Sequence, residues 1–154
     1  MSSDPNIVRE NAPNLKVYDL TQALAGVPEY RILLLEDEPE FAKLVCMFLE
    51  PNGYLVTCAL NGAEGLREIM ARDFDIILCD LMMPTLPGDM FYLAVEKTKP
   101  KLLKRFIFMT GHSTEPKWAA FLARIRAVYL TKPFPMSDLL IKLAGVIHET
   151  NRAR

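Results

Sequence analysis

Six side chains in this sequence could do chemistry together: the acidic run Glu36-Asp37-Glu38, the acid Asp80, the hydroxyl of Thr110 and the ammonium of Lys132. Clustered carboxylates repel one another unless a proton or a cation intervenes. With all-oxygen donors and no His or Cys in the set, the matching ion is hard, Mg²⁺ or Mn²⁺. Mg²⁺ typically takes one or two carboxylates, keeps several waters and bridges to a phosphoryl oxygen. A carboxylate can also serve as a nucleophile and form an aspartyl phosphate, with a metal screening the charge that would repel the incoming group. Lys132 would add a second positive charge on the phosphoryl oxygens, and Thr110 a hydroxyl donor.

Each of these residues sits at or just beyond the end of an apolar run. Ile32–Leu35 precedes the acidic triplet, Asp75–Cys79 precedes Asp80, Phe106–Met109 precedes Thr110, and Ala127–Leu130 comes shortly before Lys132. Short continuous apolar runs of this kind predict strands buried on both faces, and Tyr54–Ala59 is a fifth candidate. Helical spacing fills the gaps. Phe41, Leu44, Val45, Phe48 and Leu49 form one stripe, closed by Pro51-Asn52-Gly53. Asn61 can cap a helix carrying Leu66, Ile69 and Met70, and another runs around Met90–Glu96 after a loop with Pro84, Pro87 and Gly88. Trp118, Phe121, Leu122 and Ile125 give the apolar face of a fourth helix, and Leu140, Leu143, Ala144 and Ile147 that of a last helix, Ser137–Glu149. Five strands alternating with five helices predict an α/β fold, a doubly wound parallel sheet covered on both faces. In such sheets ligands bind beyond the carboxyl ends of the strands. That is where the carboxylates, the hydroxyl and the ammonium would converge.

Composition sets the bounds. The chain has 154 residues, 51% hydrophobic and 24% charged, with a formal net charge of −1. These values suit one globular domain and give no general attraction to nucleic acid or an anionic membrane. No apolar run approaches the roughly 20 residues of a spanning helix, and Met1–Glu10 lacks the apolar core of a secretory signal. Residues 1–30 read as a partly disordered N-terminal extension, with a short helix expected between Leu15 and Ala25, and 31–150 as the domain. Cys46, Cys58 and Cys79 show no CxxC spacing and read as buried free thiols of a cytoplasmic protein.

The segments Ile32-Leu-Leu-Leu-Glu-Asp-Glu-Pro39, Asp75-Ile-Ile-Leu-Cys-Asp-Leu-Met-Met-Pro84, Phe108-Met-Thr-Gly111 and Tyr129-Leu-Thr-Lys-Pro-Phe134 together resemble the CheY-like receiver domains of two-component response regulators. The resemblance covers about Arg31 to Glu149. It implies a flavodoxin-like (βα)5 sheet in the order 2-1-3-4-5. Asp80 would take a phosphoryl group from a phosphohistidine of a sensor histidine kinase or phosphotransfer protein. Asp37 and Asp80 would bind Mg²⁺ with the backbone carbonyl of Met82, and Glu36, where the family often has Asp, directly or through water. Lys132 would pair with Asp80 and then with the phosphoryl group, Thr110 would move to hydrogen-bond it, and Tyr129 would turn inward. Pro133 matches a proline often preceded by a cis bond, Gly111 a small residue leaving access to phosphorus, and Gly88 the end of the loop after the acceptor. Met82 and His112 fall at positions that tune hydrolysis in the family. Ile125 and Arg126 replace the family's common Gly-Ala.

The reading that follows is a signalling switch, not an enzyme acting on other substrates, whose output surface is read by another protein in trans. A homodimer is compatible with it, and no direct contact with nucleic acid or membrane is expected. A haloacid-dehalogenase-like phosphatase would want an acid where Met82 stands. A flavodoxin-like redox protein would want a Ser/Thr/Gly-rich loop where Glu36-Asp37-Glu38 would repel a flavin phosphate. A receiver that binds partners without phosphorylation, or a piece of a hybrid kinase, are the remaining alternatives.

Overall fold

The computed structural model describes residues 29–152. The expectations for the N-terminal extension, including the helix at Leu15–Ala25, therefore lie outside the described residues, Glu29 and Tyr30 apart. The apolar run after Tyr30 forms β1 (Tyr30–Leu35), whose last four residues are fully buried. The remaining strands are β2 (Tyr54–Ala59), β3 (Ile76–Asp80), β4 (Phe106–Thr110) and β5 (Val128–Thr131). All pair in parallel, in the order β2-β1-β3-β4-β5, as the resemblance implied. Between them run α1 (Pro39–Leu49), α2 (Gly62–Ala71), α3 (Gly88–Thr98) and α4 (Pro116–Ile125), and α5 (Met136–Arg152) follows β5.

Local chemistry explains where the helices start. α1 and α4 open on a proline at the first helical position, where its missing N–H costs nothing. At α2 the Asn61 side chain accepts from Glu64 N–H at 3.0 Å, and Glu64 Oε2 reaches back to Leu60 N–H at 2.8 Å. That reciprocal pairing satisfies one donor the first turn would leave orphaned and one on the residue just before the cap.

The period of two along the strands splits the core into two layers. Leu33, Leu35, Ile77, Cys79, Phe106 and Phe108 face α2, α3 and α4, where Phe91, Trp118 and Phe121 fill the space. Ile32, Leu34, Ile76, Leu78, Ile107 and Met109 face α1 and α5, against Val45, Leu49, Leu139 and Leu143. Trp118 is thus core, not a free contact surface. Each such side chain contributes roughly 1.5–3 kcal/mol on burial.

Several expected positions shift. β3 begins one residue later than Asp75, and Asp75 instead accepts Arg31 N–H at 2.8 Å. Leu44 and Met70 point to solvent, because each apolar stripe is wider than the strip of helix that meets the sheet. On α5 the buried line is Leu139, Leu143, Val146 and Ile147, leaving Ala144 exposed. The expectation of three buried cysteines fails for Cys58, which is exposed because β2 is an edge strand, and in part for Cys46.

Two backbone positions carry strain that the sequence does not announce. Thr85 has φ 71°, and Leu86 N–H donates to Pro84 O at 2.8 Å, a three-residue turn of the rarer sense. Arg126 caps α4 in the left-handed region (φ 52°, ψ 49°), with its N–H on Leu122 and Ala123 carbonyls. A glycine suits that position better. Arg126→Gly is expected to stabilise the fold by about 1 kcal/mol, seen as a thermal midpoint a few degrees higher.

Candidate functional site

The parallel register delivers the expected side chains to one rim. Leu35 pairs with Cys79 and Asp80 with Met109, so the ends of β1, β3 and β4 are adjacent. Glu36 N–H donates to Ala59 O at 3.0 Å, fixing the first acid just beyond β1. Lys132 N–H donates to Thr110 O at 2.8 Å, which ties the segment after β5 to the end of β4. The Lys132–Pro133 peptide bond is cis, as the resemblance implied.

Carboxylate oxygens of Glu36, Asp37 and Asp80 lie within 4.8 Å of one another. The Lys132 ammonium donates to Glu36 Oε2 at 2.9 Å and to Asp80 Oδ2 at 3.0 Å. The other Asp80 oxygen, Oδ1, accepts Met82 N–H at 3.0 Å, so the main chain of Met82 is at the site while its side chain is exposed. The Glu36 side chain is fully buried and that of Asp80 is 8% exposed. Glu36 N–H is held by Ala59, and Glu36 Oε1 accepts Glu38 N–H at 3.2 Å.

Three carboxylates meet one ammonium, and the electrostatics show the deficit. Burial, helped by the Asp80 charge, pushes the Glu36 carboxyl up to about 7 against the pull of its hydrogen bond to Lys132. Burial alone would lower Lys132, but its hydrogen bonds to Glu36 and Asp80 prevail and hold it above its ordinary value. A hard cation on the free carboxylate oxygens would supply the missing charge. The donor set fits Mg²⁺ or Mn²⁺.

Thr110 is buried, and its Oγ1 accepts His112 N–H at 2.9 Å. Tyr129 is on β5 and 41% exposed, facing outward, so it is not part of the core. The His112 ring is turned away to Glu115, with Nδ1 2.6 Å from Oε1. A Cβ at Gly111 would meet nothing within 4 Å, so packing leaves that position open. At Gly88 the opposite holds: a Cβ would fall 2.6 Å from Asp80 O and 2.9 Å from Leu81 Cα. Only glycine lets α3 start this close to the acceptor strand.

One site residue escaped the sequence reading. Phe41 read as core, yet its ring lies 4.4 Å from Lys132 Nζ and stacks edge-on against Phe134. It forms an apolar wall beside the ammonium and adds a cation–π attraction. The helical stripe placed Phe41 on an inward face, but only the fold brings α1 beside the segment after β5.

The comparisons with known proteins agree with this geometry. The response regulator receiver domain family matches residues 32–144. The transcriptional regulatory protein GlrR of Escherichia coli (strain K12) is 32% identical over 102 residues, covering 66% of this chain and 22% of that protein. The uncharacterized transcriptional regulatory protein YkoG of Bacillus subtilis (strain 168) is 30% identical over 118 residues, covering 77% and 51%. The chain thus spans about half or less of these curated relatives. Their names are those of transcriptional regulators, which runs in part against the expectation of no direct contact with nucleic acid. A CheY-like receiver domain structure from Methanospirillum hungatei JF-1 superposes with a TM-score of 0.75 at 26% identity, covering 82% of this chain and all of that one. Among the described residues no helix is long and apolar enough to cross a membrane. Motifs, strand order and the matched span together place the chain in the response regulator receiver domain family.

Proposed function

We propose that Asp80 is a phosphoacceptor and that residues 31–150 act as a phosphorylation-controlled switch. The observation that carries this reading is Lys132 bridging Glu36 and Asp80, at 2.9 and 3.0 Å, inside a triad of carboxylates. An Asp80 oxygen attacks phosphorus, a P–O bond forms, and the P–N bond to a kinase imidazole breaks with its electron pair leaving on nitrogen. Lys132 transfers its ammonium from the carboxylate to the phosphoryl oxygens. Asp37, Asp80, Glu36 and the Met82 carbonyl would hold Mg²⁺, which when bound neutralises charge on the phosphoryl oxygens.

The output follows from charge. Phosphorylation replaces the single charge of the Asp80 carboxylate with a phosphoryl group carrying about −1.5 to −2 and three strong acceptor oxygens. The Thr110 hydroxyl, one residue beyond Met109, then exchanges the His112 N–H for the phosphoryl oxygen, and the loop to α4 moves with it. Tyr129, outward here, gains room to turn in. The surface of α4, β5 and α5 would thereby shift between two packings, one of them recognised by a partner protein. The relatives' regulation of transcription is a property of those whole proteins; for this chain a protein partner, phosphorelay or regulatory output carried by further domains fits the same switch. The site acts only on its own phosphoryl group.

The test is intact mass after incubation of the chain with acetyl phosphate, with Mg²⁺ or with EDTA. One added phosphoryl group is expected with Mg²⁺ and none with EDTA. Acetyl phosphate consumption, followed in parallel, detects a phosphoryl group lost before weighing. Absence of both the mass gain and the consumption would overturn the proposal and leave a phosphorylation-independent binding role.

A further inference from the structure

Two thiols that the phosphoryl chemistry does not use face each other at the edge of the sheet. Cys46 lies in the second half of α1 and Cys58 near the end of β2, with their Sγ atoms 3.1 Å apart. Main chain holds them there. The 3₁₀ turn Glu50–Asn52 and the left-handed Gly53 (φ 90°) return the chain from α1 into β2, and Cys58 is fixed opposite Leu34 in the sheet. Among the described residues β2 pairs only with β1, and Cys58 is exposed while Cys46 is half-buried beneath it. A disulfide bond is about 2.05 Å long, so the two sulfurs need approach by only about 1 Å.

We propose that Cys46 and Cys58 form a reversible intramolecular disulfide, making the α1–β2 edge a site of oxidation by peroxide. Cys58, the exposed thiol, attacks hydrogen peroxide as its thiolate; a sulfenic acid forms on Cys58 and the first water leaves. Cys46 Sγ then displaces the sulfenic hydroxyl, which departs as a second water carrying the Cys46 proton. Two thiols lose two electrons and two protons, and one peroxide becomes two waters. A dithiol reverses the bond by exchange. Cys58 is the exposed thiol and Cys46 the half-buried one, whose burial pushes it above the ordinary thiol range, so peroxide reaches Cys58 first and Cys46 resolves. Cys79 takes no part: it is fully buried, with its Sγ on Asp80 O at 3.3 Å. The bridge would fasten α1 to β2 one residue before Ala59, whose carbonyl anchors Glu36.

The experiment treats the reduced full chain with a small excess of hydrogen peroxide, then alkylates it in denaturant. A loss of about 2 Da is expected, with one alkylated thiol, Cys79, in place of three. Trypsin leaves both cysteines between Lys43 and Arg67, so the map uses chymotrypsin. Cuts after Phe48 or Tyr54 should leave two peptides joined until a dithiol is added. In Cys46→Ser, Cys58 should be trapped as sulfenic acid by a cyclic 1,3-diketone; in Cys58→Ser, Cys46 should take up none. Three alkylated thiols after peroxide, a Cys58-linked dimer of two chains, or a sulfinic acid on Cys58 with Cys46 still free would each overturn the proposal.

Discussion

Asp80→Asn should lose phosphoryl uptake from acetyl phosphate by roughly 10³-fold or more while its fold stands. The amide has nearly the volume of the carboxylate, and its oxygen can still accept Met82 N–H as Oδ1 does at 3.0 Å. It has no anionic oxygen with which to attack phosphorus. Lys132 loses one partner, Asp80 Oδ2, but keeps Glu36 Oε2 at 2.9 Å. The like charge that helps raise Glu36 is removed at the same time. These effects oppose each other, so stability should stay within about 1 kcal/mol of the parent. Affinity for Mg²⁺ should fall, because one of three carboxylates is gone. Intact mass, a thermal melt and a metal titration on the same preparation read the three outcomes. Uptake equal to the parent's would show that another acid, such as Asp37, is the acceptor.

The acids and the lysine were legible in the sequence for a physical reason. A strand buried on both faces is nearly all apolar, so Ile32–Leu35 and Ile76–Cys79 stand out, and an acid ending such a run has to lie at the rim of the sheet. In parallel sheets every strand's carboxyl end points the same way, so separate strand ends converge without any knowledge of side-chain contacts. What depended on neighbours across the fold was not legible. Phe41 and Lys132 are ninety-one residues apart by their numbers, and no periodicity says that they meet. The placement of Cys58 depends on β2 being an edge strand, which follows from strand order and not from its own residues. Arg126 and Thr85 adopt positive φ without being glycine, so composition hides both turns. Tyr129 is named only through the resemblance, and its outward, 41% exposed position depends on how β5 sits in the sheet.

Lys132→Ala should destabilise the metal-free protein by about 3 kcal/mol near pH 8, and by less near pH 5.5. The ammonium is the only cationic partner recorded for either Glu36 or Asp80 among the described residues. Without it, a fully buried carboxylate faces a nearly buried one. Glu36 can escape that cost only by taking a proton. In the parent, burial already lifts it from 4.5 to about 7 despite the lysine, which corresponds to about 3 kcal/mol once the carboxylate must be charged. Removing Lys132 deletes two of the influences that hold Glu36 down, so its folded value climbs further. The sign is then fixed. Between the unfolded value and the raised folded value the native state binds more protons than the unfolded state, so stability falls as pH rises across that interval. In the parent the decline from this group ends near 7; in the variant it continues above. Thermal melts in EDTA should therefore show a gap between parent and variant that widens with pH. Lys132→Met separates charge from packing, since its stem still covers the Phe41 ring that Lys132 approaches at 4.4 Å. Met should recover part of the loss at low pH and keep the steep decline above 7. A gap that stays constant with pH in both variants would mean that Lys132 stabilises by packing alone and does not offset buried charge at the acceptor.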